Sequence, residues 1–90
     1  MERTGNGKVR SDVARYFFDT FDDDTFIKDD VGQECADLTV VKELAAASLV
    51  ELARDVLPGI VRRHLAVKVH DGSEPVLEAN LIFETIVLKQ

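Results

Sequence analysis

Residues 37–59 read DLTVVKELAAASLVELARDVLPG, and this stretch decides the fold. Apolar side chains return every three or four positions, at Leu38, Val41, Ala45, Leu49, Leu52 and Val56, which is one stripe of an α-helix. Lys42, Glu43, Glu51, Arg54 and Asp55 lie mostly off that stripe. Asp37 is placed as N-cap, because its carboxylate can accept from the exposed first-turn amides. Pro58-Gly59 ends the helix. Ala45, Ala46, Ala47 and Ala53 favour the helical state and let the rod lie close to a sheet. About twenty residues at 1.5 Å each make a rod of roughly 30 Å.

After the helix the period changes. Leu65, Val67 and Val69 alternate with Ala66, Lys68 and His70, and Leu77, Ala79, Leu81 and Phe83 alternate with Glu78, Asn80, Ile82 and Glu84. Period two is the pattern of a strand with one buried face. Asp71-Gly72-Ser73-Glu74 supplies the turn. A two-residue loop at Gly72-Ser73 sets Val67 beside Glu78 and mixes the faces. An odd-length loop pairs Val67 with Leu77 and Leu65 with Ala79. The expectation is therefore an odd loop with a bulge and Gly72 at positive φ. Pro75 suits a strand start or an edge.

Before the helix, Arg15-Tyr16-Phe17-Phe18-Asp19 and Thr25-Phe26-Ile27-Lys28 flank the acidic tip Asp22-Asp23-Asp24, which predicts a first hairpin. Pairing Phe18 with Phe26 puts Tyr16, Phe18 and Phe26 on one face and Phe17 and Ile27 on the other. Both faces carry apolar groups, so this register is underdetermined. Asp29 to Ala36 reads as a loop, and residues 1–12 read as a mobile tail before a single α+β domain at 13–90. The expected architecture is ββαββ, an antiparallel sheet of two hairpins with one amphipathic helix on one face. One helix covers one face only. Phe17, Ile27 and Ile82 are left for the other, Ile86 and Leu88 extend the last strand, and the open face is to be covered by the tail or by a second copy.

Composition bounds the function. The chain has 90 residues and a net charge of −6, and no apolar run is long enough to span a bilayer. Between Tyr16 and Asp37 eight acids face Lys28 alone, a local charge of −7, so the rest of the chain sums to +1. Nucleic acid is bound by clustered Lys and Arg, so this acidic chain argues against a nucleic-acid partner. One cysteine excludes an internal disulfide. With no secretory signal pattern, the expectation is a cytoplasmic protein without a membrane partner.

The run Arg15-Tyr16-Phe17-Phe18-Asp19, then Asp30-Val31-Gly32-Gln33-Glu34, then Asp37-Leu38 opening an Ala-rich helix, then Pro75-Val76-Leu77, resembles a family of short bacterial proteins known only as a domain of unknown function. The resemblance covers roughly residues 14 to 84. The tail and the Asp22-Asp23-Asp24 turn, where glycine is expected, depart from it. It implies a stand-alone bacterial cytoplasmic domain and carries no catalytic residues. In outline, the hairpin followed by Asp-Leu and an Ala-rich helix is also similar to the antitoxin half of HicB-type toxin–antitoxin pairs, which bind a protein partner.

Candidate chemistry is sparse. The span Asp19–Asp30 has the length of a calcium loop, but Asp24 stands where the sharp glycine turn belongs. A solvated tip carrying edge-protecting charge is the plainer reading, with weak cation or small-ligand binding by the acidic residues 19–37 as the alternative. His64 and His70 share strand parity but are too far apart to hold one ion. Cys35 lies among Gln33, Glu34 and Asp37, where carboxylates raise a thiol pKa rather than activate it. Ser11, Ser48 and Ser73 lack a nucleophile setting. Gly5-Asn6-Gly7-Lys8 lacks the strand and helix of a phosphate loop. Arg62-Arg63 reads as a surface pair that partly balances the helix C-terminus. The expectation is a non-catalytic interaction or regulatory module able to form a homodimer, with an antitoxin-like partner-binding domain as the alternative and with no catalytic residue, metal or cofactor.

Overall fold

The computed structural model describes residues 14–89. The expected tail at 1–12 lies outside the described residues. Six elements follow in order: β1 (Ala14–Asp22), β2 (Thr25–Ile27), β3 (Gln33–Cys35), α1 (Leu38–Val56), β4 (Arg62–His70) and β5 (Pro75–Glu84). The sheet runs β2-β1-β4-β5, with β3 also against β1, and every pairing is antiparallel. This is an α+β fold with the expected ββαββ order, plus β3 as a short extra strand.

The extra strand corrects the reading of Asp29 to Ala36 as loop. Ala14, Arg15 and Tyr16 pair with Cys35, Glu34 and Gln33. Thr20, Phe21 and Asp22 pair with Ile27, Phe26 and Thr25. β2 and β3 thus form one interrupted edge along β1. Gln33-Glu34-Cys35 has little strand propensity of its own, and its conformation comes from the ladder it joins.

The first hairpin is tighter than expected. β1 continues to Asp22, and Asp23-Asp24 alone make the turn. Asp23 takes the left-handed conformation (φ 53) that aspartate tolerates better than most side chains. Phe26 therefore lies opposite Phe21 rather than Phe18. Phe17, Phe21 and Phe26 share the open face, and Ile27 falls on the helix side with Phe18. Strand parity allowed either face, and the two-residue turn chose.

In the second hairpin Val67 pairs with Ala79 and Leu65 with Leu81, two positions from the expected register but with the same faces. Parity is restored by an irregularity at Val69/His70: His70 pairs with Pro75 around the four residues Asp71–Glu74. Val76 is the extra residue. Gly72 has φ 100, as the turn requires, and Pro75 opens β5.

Helix α1 lies over β4 and β5 and touches β3. Asp37 caps it from extended backbone, its Oδ1 accepting from the Val40 amide at 3.0 Å. Val41, Ala45 and Leu49 meet Leu65, Val67, Val69 and Cys35 in a buried core, with Phe18, Leu77, Ala79 and Leu81 around it. Leu38, at the end of the stripe, is 51% exposed. Fully burying a Leu or Val contributes about 1.5–3 kcal/mol.

Gly32 shows how tightly the interrupted edge is fitted. Its φ is 75, and a Cβ there would stand 2.9 Å from Phe17 Cε2. Gly32→Ala meets both a left-handed strain of about 1–2 kcal/mol and a ring held by stacking on His70. A loss of about 3 kcal/mol is expected in urea unfolding, and a loss below about 1 kcal/mol would show that the Asp29–Gly32 turn yields freely.

Among the described residues no helix is long and apolar enough to cross a membrane.

Candidate functional site

The face away from α1 collects most of the residues with chemical potential. β4 alternates, so Leu65, Val67 and Val69 go to the core and His64, Ala66, Lys68 and His70 go to the open face. β1 adds Phe17, Asp19 and Phe21 there, and β5 adds Glu78, Asn80 and Ile82 by the same pairing rule.

His70 is fully engaged. Its ring stacks on Phe17 with centroids 5.2 Å apart and 13° between planes. Its Nδ1 accepts the Gly72 amide at 3.2 Å, and its Nε2 stands 3.2 Å from Asp19 Oδ2. An acceptor Nδ1 places the proton of the neutral ring on Nε2, which donates to Asp19. Neither nitrogen is left to take a proton from a substrate. His64 Nε2 meets Asn80 Oδ1 at 2.9 Å, and Asn80 Nδ2 donates to Glu78 Oε2 at 3.0 Å. The two histidines share a face, as their spacing implied, but each has its own partners and nothing brings them together.

Lys68 places its ammonium 4.5 Å above the Phe21 ring, and Phe21 packs on Phe26 at 4.7 Å. Such a cation–π contact contributes about 0.5–1 kcal/mol at an exposed site. Beside it the β4–β5 turn forms an open concavity of about 440 Å³ lined by Lys68, His70, Gly72, Pro75, Val76 and Glu78, among others.

The acidic segment disperses in the fold. Asp19 Oδ1 accepts the Asp29 amide at 3.0 Å. Asp22 and Asp23 approach Arg63, at 3.2 Å from Nη1 and 3.7 Å from Nε. Asp22 Oδ1 and Arg63 Nε are buried without an aligned hydrogen bond, so that contact is ionic rather than directional. Asp30 lies 3.9 Å from Lys28 and Glu34 lies 3.6 Å from Arg15. Asp37 caps the helix. Among the described residues no three His, Cys, Asp or Glu side chains stand together as a metal site.

Asp29 is the most heavily used of these acids, and the residue reading missed it. Its Oδ2 accepts the Phe18 amide, and its Oδ1 accepts those of Val31 and Gly32, each at 3.0 Å. It fills the gap in the β1 edge between β2 and β3. Burial pushes its pKa up, but the amides of Gly32, Phe18 and Val31, with nearby His70, outweigh that and leave it below the ordinary 3.8. The signal was present in Asp29-Asp30-Val31-Gly32, an aspartate three residues before a glycine, which is an Asx-turn pattern. Asp71 does the same in the second turn. Its Oδ1 takes the Ser73 and Glu74 amides and the Ser73 hydroxyl, and its pKa also lies low because of these donors.

Cys35 is 3% exposed within the core. Burial, with Asp37 nearby, pushes its thiol pKa up, away from nucleophilic reactivity. Ser48 is half-buried in α1, and Ser73 is tied to Asp71. Ser11 and Gly5–Lys8 lie outside the described residues. Arg62 does not balance the helix end: it pairs with Glu84 at 3.3 Å, and Arg63 is turned to the acidic hairpin tip. The basic residue in the last helical turn is Arg54.

A model of the family described as Domain of unknown function (DUF6894) matches residues 15–82, well over half of the chain. The chain belongs to this family. The match opens inside β1 and takes in α1 and most of β5, so the family is defined by the sheet and helix together. Its description assigns no activity. No curated protein and no solved structure matches the chain.

Proposed function

We propose that this DUF6894 domain is a non-catalytic protein-interaction module. The observation that supports the reading is the placement of exposed apolar side chains. Ile82 in β5 and Ile86, Val87 and Leu88 in the segment that follows it are 66%, 67%, 68% and 92% exposed, all within seven residues. A small domain that leaves such a run in water presents a contact surface. The polar residues of the open face favour the same reading, because His70 and Asp19 hold each other and the adjacent turns.

Cross-linking in living host cells, read by mass spectrometry, tests this. Cross-links from residues 76–89 to protein are expected, and they should disappear in an Ile82→Lys, Leu88→Lys variant that still folds. An absence of cross-links from this segment, or their persistence in the variant, would remove the basis of the reading.

A further inference from the structure

We propose that β5 pairs antiparallel with β5 of a second copy, about a twofold axis at Ile82. This rests on the interaction reading above and names the partner.

The two sheet edges differ in protection. One is broken into β2 and β3, three residues each, with the Asp29–Gly32 turn between them and the Lys28–Asp30 and Arg15–Glu34 pairs beside it. Short strands, irregular turns and charge are how natural edges avoid pairing. β5 has ten residues, no basic side chain and proline only at its first position. Among the described residues it pairs only with β4.

The ladder shows which groups are open. Thr85 N donates to Val61 O at 2.7 Å, continuing the register Arg62↔Glu84. Odd-numbered residues of β5 therefore bond to β4. Glu78, Asn80, Ile82 and Glu84 point their amides and carbonyls away from the sheet. A second strand must pair through these even-numbered residues.

Side chains then select among the even registers. Centring on Leu81 sets Glu78 directly against the second copy's Glu84 on both sides of the axis, which is destabilising. Centring on Asn80 runs Ile86 and Leu88 past the partner strand into its turn. Centring on Phe83 sets Ile82 against Glu84. Centring on Ile82 joins the two Ile82 side chains and sets Asn80 against Glu84, and its one Ile–Glu pairing, Ile86 with Glu78, falls past the end of the strand at Glu84. On the helix side it brings Leu81 to Phe83 and Leu77 to Val87. Of these four registers it alone joins the two Ile82 side chains while keeping the glutamates from facing each other.

The test uses the purified full chain. Light scattering at 100 µM should give the dimer mass. Ile82→Pro removes an outward amide without touching the β4 ladder, so it should yield a folded monomer by circular dichroism. Ile82→Lys, which keeps the amide, should weaken the dimer at least tenfold. Under mild oxidation Ile82→Cys should cross-link, since the paired Cα atoms lie within disulfide reach. Asn80→Cys should not, because its copies stand about 14 Å apart along the strands. A monomeric wild type, a dimer that survives both Ile82 variants, or cross-linking at Asn80→Cys would overturn the proposal. Cellular cross-links from β5 to a different protein, with a monomeric purified chain, would reject the second copy and leave the interaction reading standing.

Discussion

Leu65→Ala is expected to lower the unfolding free energy by about 3 kcal/mol, within the range for a Leu-to-Ala change in a packed core. Leu65 is fully buried, paired with Leu81 on β5 and Asp22 on β1, under the Val41–Ala45–Leu49 stripe. It sits where helix and sheet meet. For a chain of this size the total is roughly 5–13 kcal/mol, so the variant should melt many degrees below wild type. The more conservative Val67→Ala removes less volume and should cost less. Urea unfolding checks both. Equal, small losses would show that the core is not shared between helix and sheet as described.

Asp29→Asn is expected to cost about 2 kcal/mol near neutral pH. The amide keeps one oxygen for Val31 and Gly32 but turns an NH₂ group toward the Phe18 amide, so a donor meets a donor. The loss also depends on pH. The folded pKa of Asp29 lies below the ordinary 3.8, so the stability its charge contributes is present above that value. It is lost as the pH falls through the depressed folded value. The gap between wild type and Asp29→Asn should therefore close in strong acid, because the protonated wild type loses the same charge-assisted bonds. Unfolding of both proteins at pH 7 and in strong acid checks this. A gap that stays constant across the range would mean that the carboxylate charge plays no part in holding the turn.

The helix was legible because three independent signals agreed: an apolar stripe, an aspartate N-cap and Pro58-Gly59 at the end. The faces of β4 and β5 were legible because Leu65, Val67, Val69, Leu77, Ala79 and Leu81 alternate without exception. Their register was not, since the bulge at Val76 and the four-residue turn are set by backbone geometry that parity constrains only modulo two. The first hairpin was harder. Phe17, Phe18, Phe21, Phe26 and Ile27 offer apolar groups to both faces, so a two-residue turn at Asp23 decided what hydrophobicity could not. β3 was invisible for a different reason: Gln33-Glu34-Cys35 becomes a strand only because β1 offers it an open ladder.

The acidic run invited a reading as one cluster. In the fold most of its members serve separate partners (backbone amides, Arg15, Lys28, Arg63 and His70), because successive strand residues alternate faces and turns redirect the chain. A local charge of −7 in sequence is thus spread over a hairpin tip, an Asx turn, an edge strand and a helix cap. The family match at residues 15–82 takes in the whole of this run.

The function proposed here depends on whether the β5 edge is occupied. Amide hydrogen exchange resolves it residue by residue. Leu77, Ala79, Leu81 and Phe83 bond to β4, and their amides are expected to be protected at any concentration. The amides of Glu78, Asn80, Ile82 and Glu84 face outward. They are expected to be protected at 100 µM and to lose that protection on dilution, as the second copy leaves. Rapid, concentration-independent exchange at those four positions would contradict the pairing.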